Sequence, residues 1–368
     1  MPPLPLIVDA HLDLATNAMT LNRDLTRPVH EIRARELALG LDDYPDRGHG
    51  TVALPELRRG GVGLVFATLI ARYSATGSRQ KNLALPGWHS PAQAYASAQG
   101  QLAWYREMER LGEMVQISDR AGLERHLELW RTAETTNALP VGYVLALEGA
   151  DSIVTLDHLH QYYAQGLRSV GLAHFGPGRY AAGTNSDGSG LTAAGRELVR
   201  EMNTLNMLLD VTHLTDRGFY EALELYTGPL LASHQNCRAL VPGERQFSDA
   251  QLRAVIERGG VVGGALDAWM LQAGYVRGQS PRALGIGLER IIDHYDHVCQ
   301  LAGNADHIAI GSDLDGLFGT EQSPYDLDTV ADLQRIGPLL RGRGYTEAEV
   351  EQVLSGNWLL LLAGVLAP

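Results

Sequence analysis

Short apolar runs, most of them closed by polar residues, recur down the chain: Leu6–Asp13, Val62–Ile70, Val141–Glu148, Leu167–His174, Met207–His213, Pro229–His234, Gly260–Asp267 and His307–Asp313. Most are rich in Val, Ile and Leu without alternation, the pattern of strands buried on both faces. Segments with helical periodicity separate them. The stretch from Arg196 to Leu205 puts Leu198, Val199, Met202 and Leu205 on one stripe. Ser248 opens another helix as its N-cap, with Leu252, Val255 and Ile256 as the apolar face, and Thr215 opens a third. Strand and helix alternating eight times predicts a (β/α)8 TIM barrel. A doubly wound open sheet uses the same elements, so the pattern alone leaves both. No glycine-rich fingerprint opens a helix after the first strand, which weakens a dinucleotide-binding reading. Without an internal repeat, a low-complexity stretch or a linker rich in Pro, Gly or Ser, residues 1–368 read as one domain. The irregular segment from Arg72 to Trp88 reads as a loop over the top of the barrel.

Composition narrows the function. The 368 residues are 45% hydrophobic and 20% charged, which is ordinary for a globular enzyme. The net charge of −13 argues against nucleic acid or an anionic membrane as a partner. Of the 30 basic residues only Lys81 is a lysine, so Schiff-base chemistry, a P-loop and a lysine-bridged metal pair would all depend on that residue. Cys237 and Cys299 stand apart, which excludes a disulfide scaffold and a cysteine zinc site. The N-terminal stretch lacks a basic region before its apolar residues. The run Trp358–Val365 is far short of the ~20 residues a bilayer needs. It reads as a C-terminal helix closing the core, and the protein as cytoplasmic.

The chemistry collects at the strand ends. The first run ends in Asp9-Ala-His11-Leu-Asp13, and others end at Glu148, His174, His213, His234 and Asp313. In a barrel all strands point one way, so these side chains converge on the C-terminal mouth, where active sites of this fold lie. His11 and Asp13 are two apart on a strand and project to one side. Imidazoles and carboxylates together suit a borderline metal such as Zn2+, with oxygen ligands left for a second ion. A lone histidine at a strand end is more often structural, and His30, His49, His89, His126, His158, His160, His294, His297 and His307 are read that way. Asp315 reads equally well as a turn residue. Six polar residues closing six apolar runs is harder to dismiss.

Those residues also carry a resemblance. Asp9-Ala-His11-Leu-Asp13-Leu, Leu147-Glu148-Gly149, Leu172-Ala-His174 and Leu209-Asp-Val-Thr-His213 resemble the motif series of the membrane (renal) dipeptidases, the M19 metallopeptidase branch of the amidohydrolase superfamily. Gly190 to Asn203, Ala232-Ser-His234, Arg245-Gln-Phe-Ser-Asp, Ile310-Gly-Ser-Asp313-Leu-Asp-Gly and Gly356-Asn-Trp358 fit in the same order. The resemblance implies a binuclear site with two Zn2+ per chain. His11, Asp13 and Glu148 would hold one ion, and Glu148, His213 and His234 the other, with Glu148 bridging. A water made acidic by the two ions would attack the scissile carbonyl. The resemblance gives Asp313 the role of orienting that water and carrying its proton. It gives His174 the oxyanion and Arg245 the substrate's free carboxylate. The alternative for Arg245 is a surface arginine before a helix N-cap.

In function, the resemblance implies a zinc dipeptidase that acts on small dipeptides, accepts a D-residue at the C-terminal position and assembles as a homodimer. Some positions depart from the common pattern. Gly149-Ala150-Asp151 replaces glycine-histidine, alanine precedes His174, Phe175 to Tyr180 differs, and Asp267-Ala-Trp269 stands where an asparagine-phenylalanine pair is frequent. These positions line the family's pocket and leave side-chain preference open. Two other readings stay open: deacylation of N-acyl amino acids or another amidohydrolase reaction at the same centre, and a non-catalytic barrel kept for binding.

Overall fold

Nine strands form one sheet in this computed structural model, which describes residues 4–74 and 87–367. They are β1 (Ile7–Leu12), β2 (Val62–Ile70), β3 (Met114–Gln116), β4 (Val141–Glu148), β5 (Leu167–Gly171), β6 (Leu208–Asp210), β7 (Leu230–Ala232), β8 (Val261–Gly264) and β9 (Ile308–Ile310). Every pairing between them is parallel. The order runs β2-β1-β9-β8-β7-β6-β5-β4, and β2 pairs with β4 from Leu64↔Gly142 to Ile70↔Glu148. That pairing closes the ring, so the fold is an eight-stranded (β/α)8 barrel and not an open sheet. The additional strand, β3, pairs only with the start of β4.

The eight apolar runs supply the eight barrel strands, but several strands are shorter than the runs. β5 stops at Gly171, β6 at Asp210, β7 at Ala232 and β9 at Ile310, each just before the polar residue that ends the run. His174, His213, His234 and Asp313 therefore sit on the loops that leave the strands, whereas His11 and Glu148 lie within β1 and β4. The helix starts are as read: Thr192, Thr215 and Ser248 cap helices Ala193–Thr204, Asp216–Leu225 and Asp249–Glu257, the last with a reciprocal Ser248–Gln251 capping box.

Alternate strand residues Val8, Ala10, Leu64, Phe66, Val144, Leu208, Leu231 and Ala309 share one apolar cluster with Trp358 and Leu362 of the C-terminal helix Asn357–Val365. Trp358 is fully buried and donates its indole N–H to the Ile310 carbonyl at 2.8 Å. The opposite strand faces, among them Ile7, Val65, Ala67 and Leu145, pack with the outer helices in a second cluster. The expected loop from Arg72 to Trp88 is described only at its ends, where Tyr73 and Trp88 form a bridge; residues 75–86, Lys81 among them, lie outside the described residues. Among the described residues no helix is long and apolar enough to cross a membrane.

Candidate metal centre and active site

One carboxylate oxygen organises the mouth. Glu148 Oε1, at the end of β4, lies 3.2 Å from His213 Nε2, 3.4 Å from His234 Nε2, 3.6 Å from His11 Nε2 and 3.9 Å from His174 Nε2. His11 Nε2 also lies 3.8 Å from both Asp13 Oδ1 and Asp313 Oδ1. Three overlapping triads result: His11–Asp13–Glu148, Glu148–His213–His234 and His11–His234–Asp313, with all donor atoms in each within 4.8 Å. Donors about 2.0–2.2 Å from a tetrahedral Zn2+ stand about 3.3–3.6 Å apart, so this spacing suits a metal better than it suits hydrogen bonds. His11 Nε2 is buried in the centre without a hydrogen-bond partner among the described residues. His234 Nδ1 is engaged by Ser233 Oγ at 2.9 Å, which leaves its Nε2 turned to Glu148. The donor set fits a divalent metal. None of the nine histidines read as structural enters such a triad among the described residues.

The local backbone is built to deliver these groups. Gly149 at φ 77° turns the chain immediately after Glu148, beside the His174 Cβ. His213 and Asp313 adopt φ of 65° and 57°, a region that costs a side-chain-bearing residue free energy. The His213 turn is held by its carbonyl, which accepts from the Thr184 amide at 2.8 Å and the Thr184 hydroxyl at 3.1 Å. Asp210 at the end of β6 accepts from the amides of Thr212 and Ser233 at 3.0 and 3.1 Å, tying the two histidine-bearing turns together. On the other side the Thr68 hydroxyl donates to Asp13 Oδ1, and Asp315 Oδ1 accepts the Asp13 amide at 2.8 Å. Asp315 is thus more than a turn residue, because it fixes the backbone of Asp13. Asp210 and Ser233 fall inside the motif stretches and Thr68 inside the second apolar run, but nothing in the sequence assigns them these contacts.

Charge is concentrated here. Burial opposes ionisation of Glu148, yet the facing imidazoles of His174, His11 and His213 hold its carboxyl well below the usual range. Burial also works against the His11 cation, but Glu148, Asp13 and Asp313 raise it well above an ordinary imidazole. His213 and His234 are driven well below that range, chiefly by burial, and so present neutral nitrogens. Burial and the Glu148 charge push Asp13 up to about 6, and burial raises Asp313 well above the carboxylate range.

His174 and Arg245 border the cluster from different sides. The His174 ring meets His213 edge-on at 4.7 Å and lines a cleft with Ile70, Arg72, Glu148 and Phe175. Arg245 is 4% exposed, which removes the surface reading. It donates to Gln235 Oε1 and, at 2.8 Å, to the His234 carbonyl, while its Nε has no hydrogen-bond partner among the described residues. Burial lowers its pKa to about 10, so it remains a cation at neutral pH, with Asp313 and Glu148 favouring the charge. Gln235, which returns a hydrogen bond to the Arg245 carbonyl at 2.6 Å, carried no sequence signal of its own.

Comparison with known proteins agrees with this geometry. The family profile for membrane dipeptidase (peptidase family M19) matches residues 4–365. A Klebsiella pneumoniae protein, described as an uncharacterized protein in the pqqA 5′ region, is 36% identical over 214 residues, covering 56% of this chain and 75% of that one. The crystal structure of dipeptidase AC, an M19 metallopeptidase, superposes with a TM-score of 0.78 at 27% identity over 99% of this chain and 100% of that one. A metallopeptidase from Rhodobacter sphaeroides, solved with a phosphinate mimic of the dipeptide L-Ala-D-Ala, gives 0.76 at 26% identity, covering 98% and 99%. The closed barrel, the histidine–carboxylate mouth and a family match along nearly its whole length place this chain in the membrane dipeptidase family of metallopeptidases, peptidase family M19.

Proposed function

We propose that this metallopeptidase binds two Zn2+ and hydrolyses small dipeptides that have a free C-terminal carboxylate, D-residues being accepted at that position. The observation that carries the reading is the sharing of Glu148 by two triads. His11, Asp13 and Glu148 would hold one ion, and Glu148, His213 and His234 the other. Bound there, the ions would polarise the scissile carbonyl and make a water acidic enough to deprotonate near neutral pH. Asp313, held by its left-handed backbone over the mouth, takes the proton at a carboxylate oxygen and passes it to the leaving amine. His174 donates to the oxygen that becomes negative, and one good donor of this kind contributes ~3 kcal/mol. Arg245 presents a guanidinium anchored along one edge, suited to two carboxylate oxygens. The phosphinate mimic of L-Ala-D-Ala bound by the Rhodobacter relative supports the dipeptide class and the D-residue.

The test is amine release from L,L-, L,D- and N-acetylated dipeptides by zinc-loaded protein, with metal per chain measured on the same sample. Cleavage that requires a free amino group, with two zinc ions bound, is the expected result. Cleavage of acetylated substrates alone would move the assignment to a deacylase on the same centre. Silence across the panel would refute the dipeptidase reading, and one ion per chain would refute the binuclear one.

A further inference from the structure

A second arginine stands across the mouth from Arg245. In the closed ring β1-β2-β4-β5-β6-β7-β8-β9, β2 and β7 lie on opposite sides. Arg245 lies on the chain that leaves β7, and Arg72 on the chain that leaves β2. Arg72 is half-buried and lines the cleft shared with Glu148 and His174. Among the described residues its guanidinium has no hydrogen-bond or ion-pair partner, although it lies close enough to His174 for its charge to act there. Asp151, the acid whose charge it feels, is committed elsewhere. One Asp151 oxygen accepts the Tyr73 amide and the other the Arg179 amide, both at 2.9 Å. Arg179 turns its own guanidinium onto the Ile153 and Val154 carbonyls at 2.9 and 3.4 Å. The rest of the lining, including Ile70, Ala71, Phe175 and Pro177, is apolar. Arg72 is therefore the cleft's uncommitted set of donors. A partly desolvated guanidinium whose donors are unpaired is unfavourable, and an anion brought by a ligand relieves it.

We propose that Arg72 recognises an acidic side chain on the substrate's N-terminal residue, so that L-Glu-Xaa and L-Asp-Xaa dipeptides are the preferred class. The proposal rests on the dipeptidase reading above. With the C-terminal carboxylate on Arg245 and the scissile carbonyl between Glu148 and His174, the N-terminal residue extends toward β2. A basic side chain there meets a like charge, and a neutral one leaves the guanidinium unpaired.

The experiment compares kcat/KM of the zinc-loaded enzyme for L-Glu-L-Ala, the isosteric L-Gln-L-Ala, L-Lys-L-Ala and L-Ala-L-Glu. Glu-Ala is expected to exceed Gln-Ala by at least about tenfold, mainly through KM, with the advantage shrinking as salt rises. In Arg72→Gln the ratio of Glu-Ala to Gln-Ala falls toward one, and in Arg72→Glu the preference turns to Lys-Ala. Equal rates for Glu-Ala and Gln-Ala in the wild type overturn the proposal, as does a preference for Ala-Glu over Glu-Ala. An Arg72→Gln loss that is the same for every dipeptide also overturns it, since Arg72 would then hold the α-carboxylate. If no dipeptide is cleaved, the dipeptidase reading fails, and the Arg72 proposal is judged on binding by calorimetry. A tighter Kd for Glu-Ala than Gln-Ala that Arg72→Gln erases supports it, and equal affinities overturn it.

Discussion

At the end of the barrel closed by the C-terminal helix, Val8, Leu64, Phe66, Leu208, Leu231, Trp358 and Leu362 are all within 1% of full burial. The polar atoms that helix brings are satisfied, with the Trp358 indole on Ile310 and the Asn357 amide on Ala305 and Ile308. At the mouth His11, Asp13, His213, His234 and Asp315 are buried to within 4%, yet His11 Nε2, His213 Nδ1, Arg245 Nε and Asp315 Oδ2 lack hydrogen-bond partners among the described residues. Two residues there also hold a left-handed backbone. The same strands thus build a relaxed end and a costly one. A left-handed backbone at a residue with a side chain costs about 1–3 kcal/mol. Such costs are tolerated where a site is assembled, and the apolar end offsets them.

Changing the charge at the centre of the mouth gives the largest expected effect. Glu148→Gln keeps the shape of a side chain whose oxygen faces four imidazoles and removes its formal charge. We expect kcat/KM to fall by at least about 10³ and metal per chain to fall with it, both measured after zinc loading and dialysis. Unchanged metal content would refute the bridging role. Asp313→Asn comes next. It lowers kcat by about 10²–10⁴ while most of the metal stays bound, because the other two triads are intact. Full turnover by this variant would remove Asp313 from proton transfer.

The contrast between the ends also explains what could be read from the chain. All eight barrel strands were legible because runs such as Val62–Ile70 are long and unbroken. β3 was not, since Met114-Val-Gln is too short to show a pattern and forms only by pairing with β4. His11, Glu148, His213, His234 and Asp313 were legible because a polar residue ending an apolar run stands out. Their supports were not. Asp210 is an ordinary strand-end acid until the register sets its oxygen between the amides of Thr212 and Ser233. The left-handed turns at His213 and Asp313 carry no glycine to announce them. Arg72 marked only the start of an irregular segment, and its place opposite Arg245 comes from ring closure, which no local pattern encodes.

Smaller effects probe how the mouth is supported. Ser233→Ala removes the hydroxyl at His234 Nδ1 without touching a donor of either triad around Glu148. Zinc affinity is expected to weaken by about 10- to 100-fold, as read by competition with a chelator, with kcat little changed at saturating metal. An unaltered affinity would show that the His234 ring is held by packing alone.

The smallest effect on turnover is expected from the other end. Trp358→Ala truncates a fully buried ring that packs on Phe66 at 5.7 Å between centroids. Such a truncation costs about 3–5 kcal/mol, which should appear as a lower urea midpoint. Turnover per folded molecule should stay within about twofold of wild type, provided the assay temperature keeps the variant folded. One route by which the ends can communicate is β9, because the indole N–H holds the Ile310 carbonyl and the chain then runs on to Asp313. Trp358→Phe isolates that route by keeping an aromatic ring and deleting the hydrogen bond. If Trp358→Phe lowers kcat/KM as Asp313→Asn does, the strained turn at Asp313 is set from the apolar end and the two regions are one device. If only stability changes, the mouth holds its own geometry.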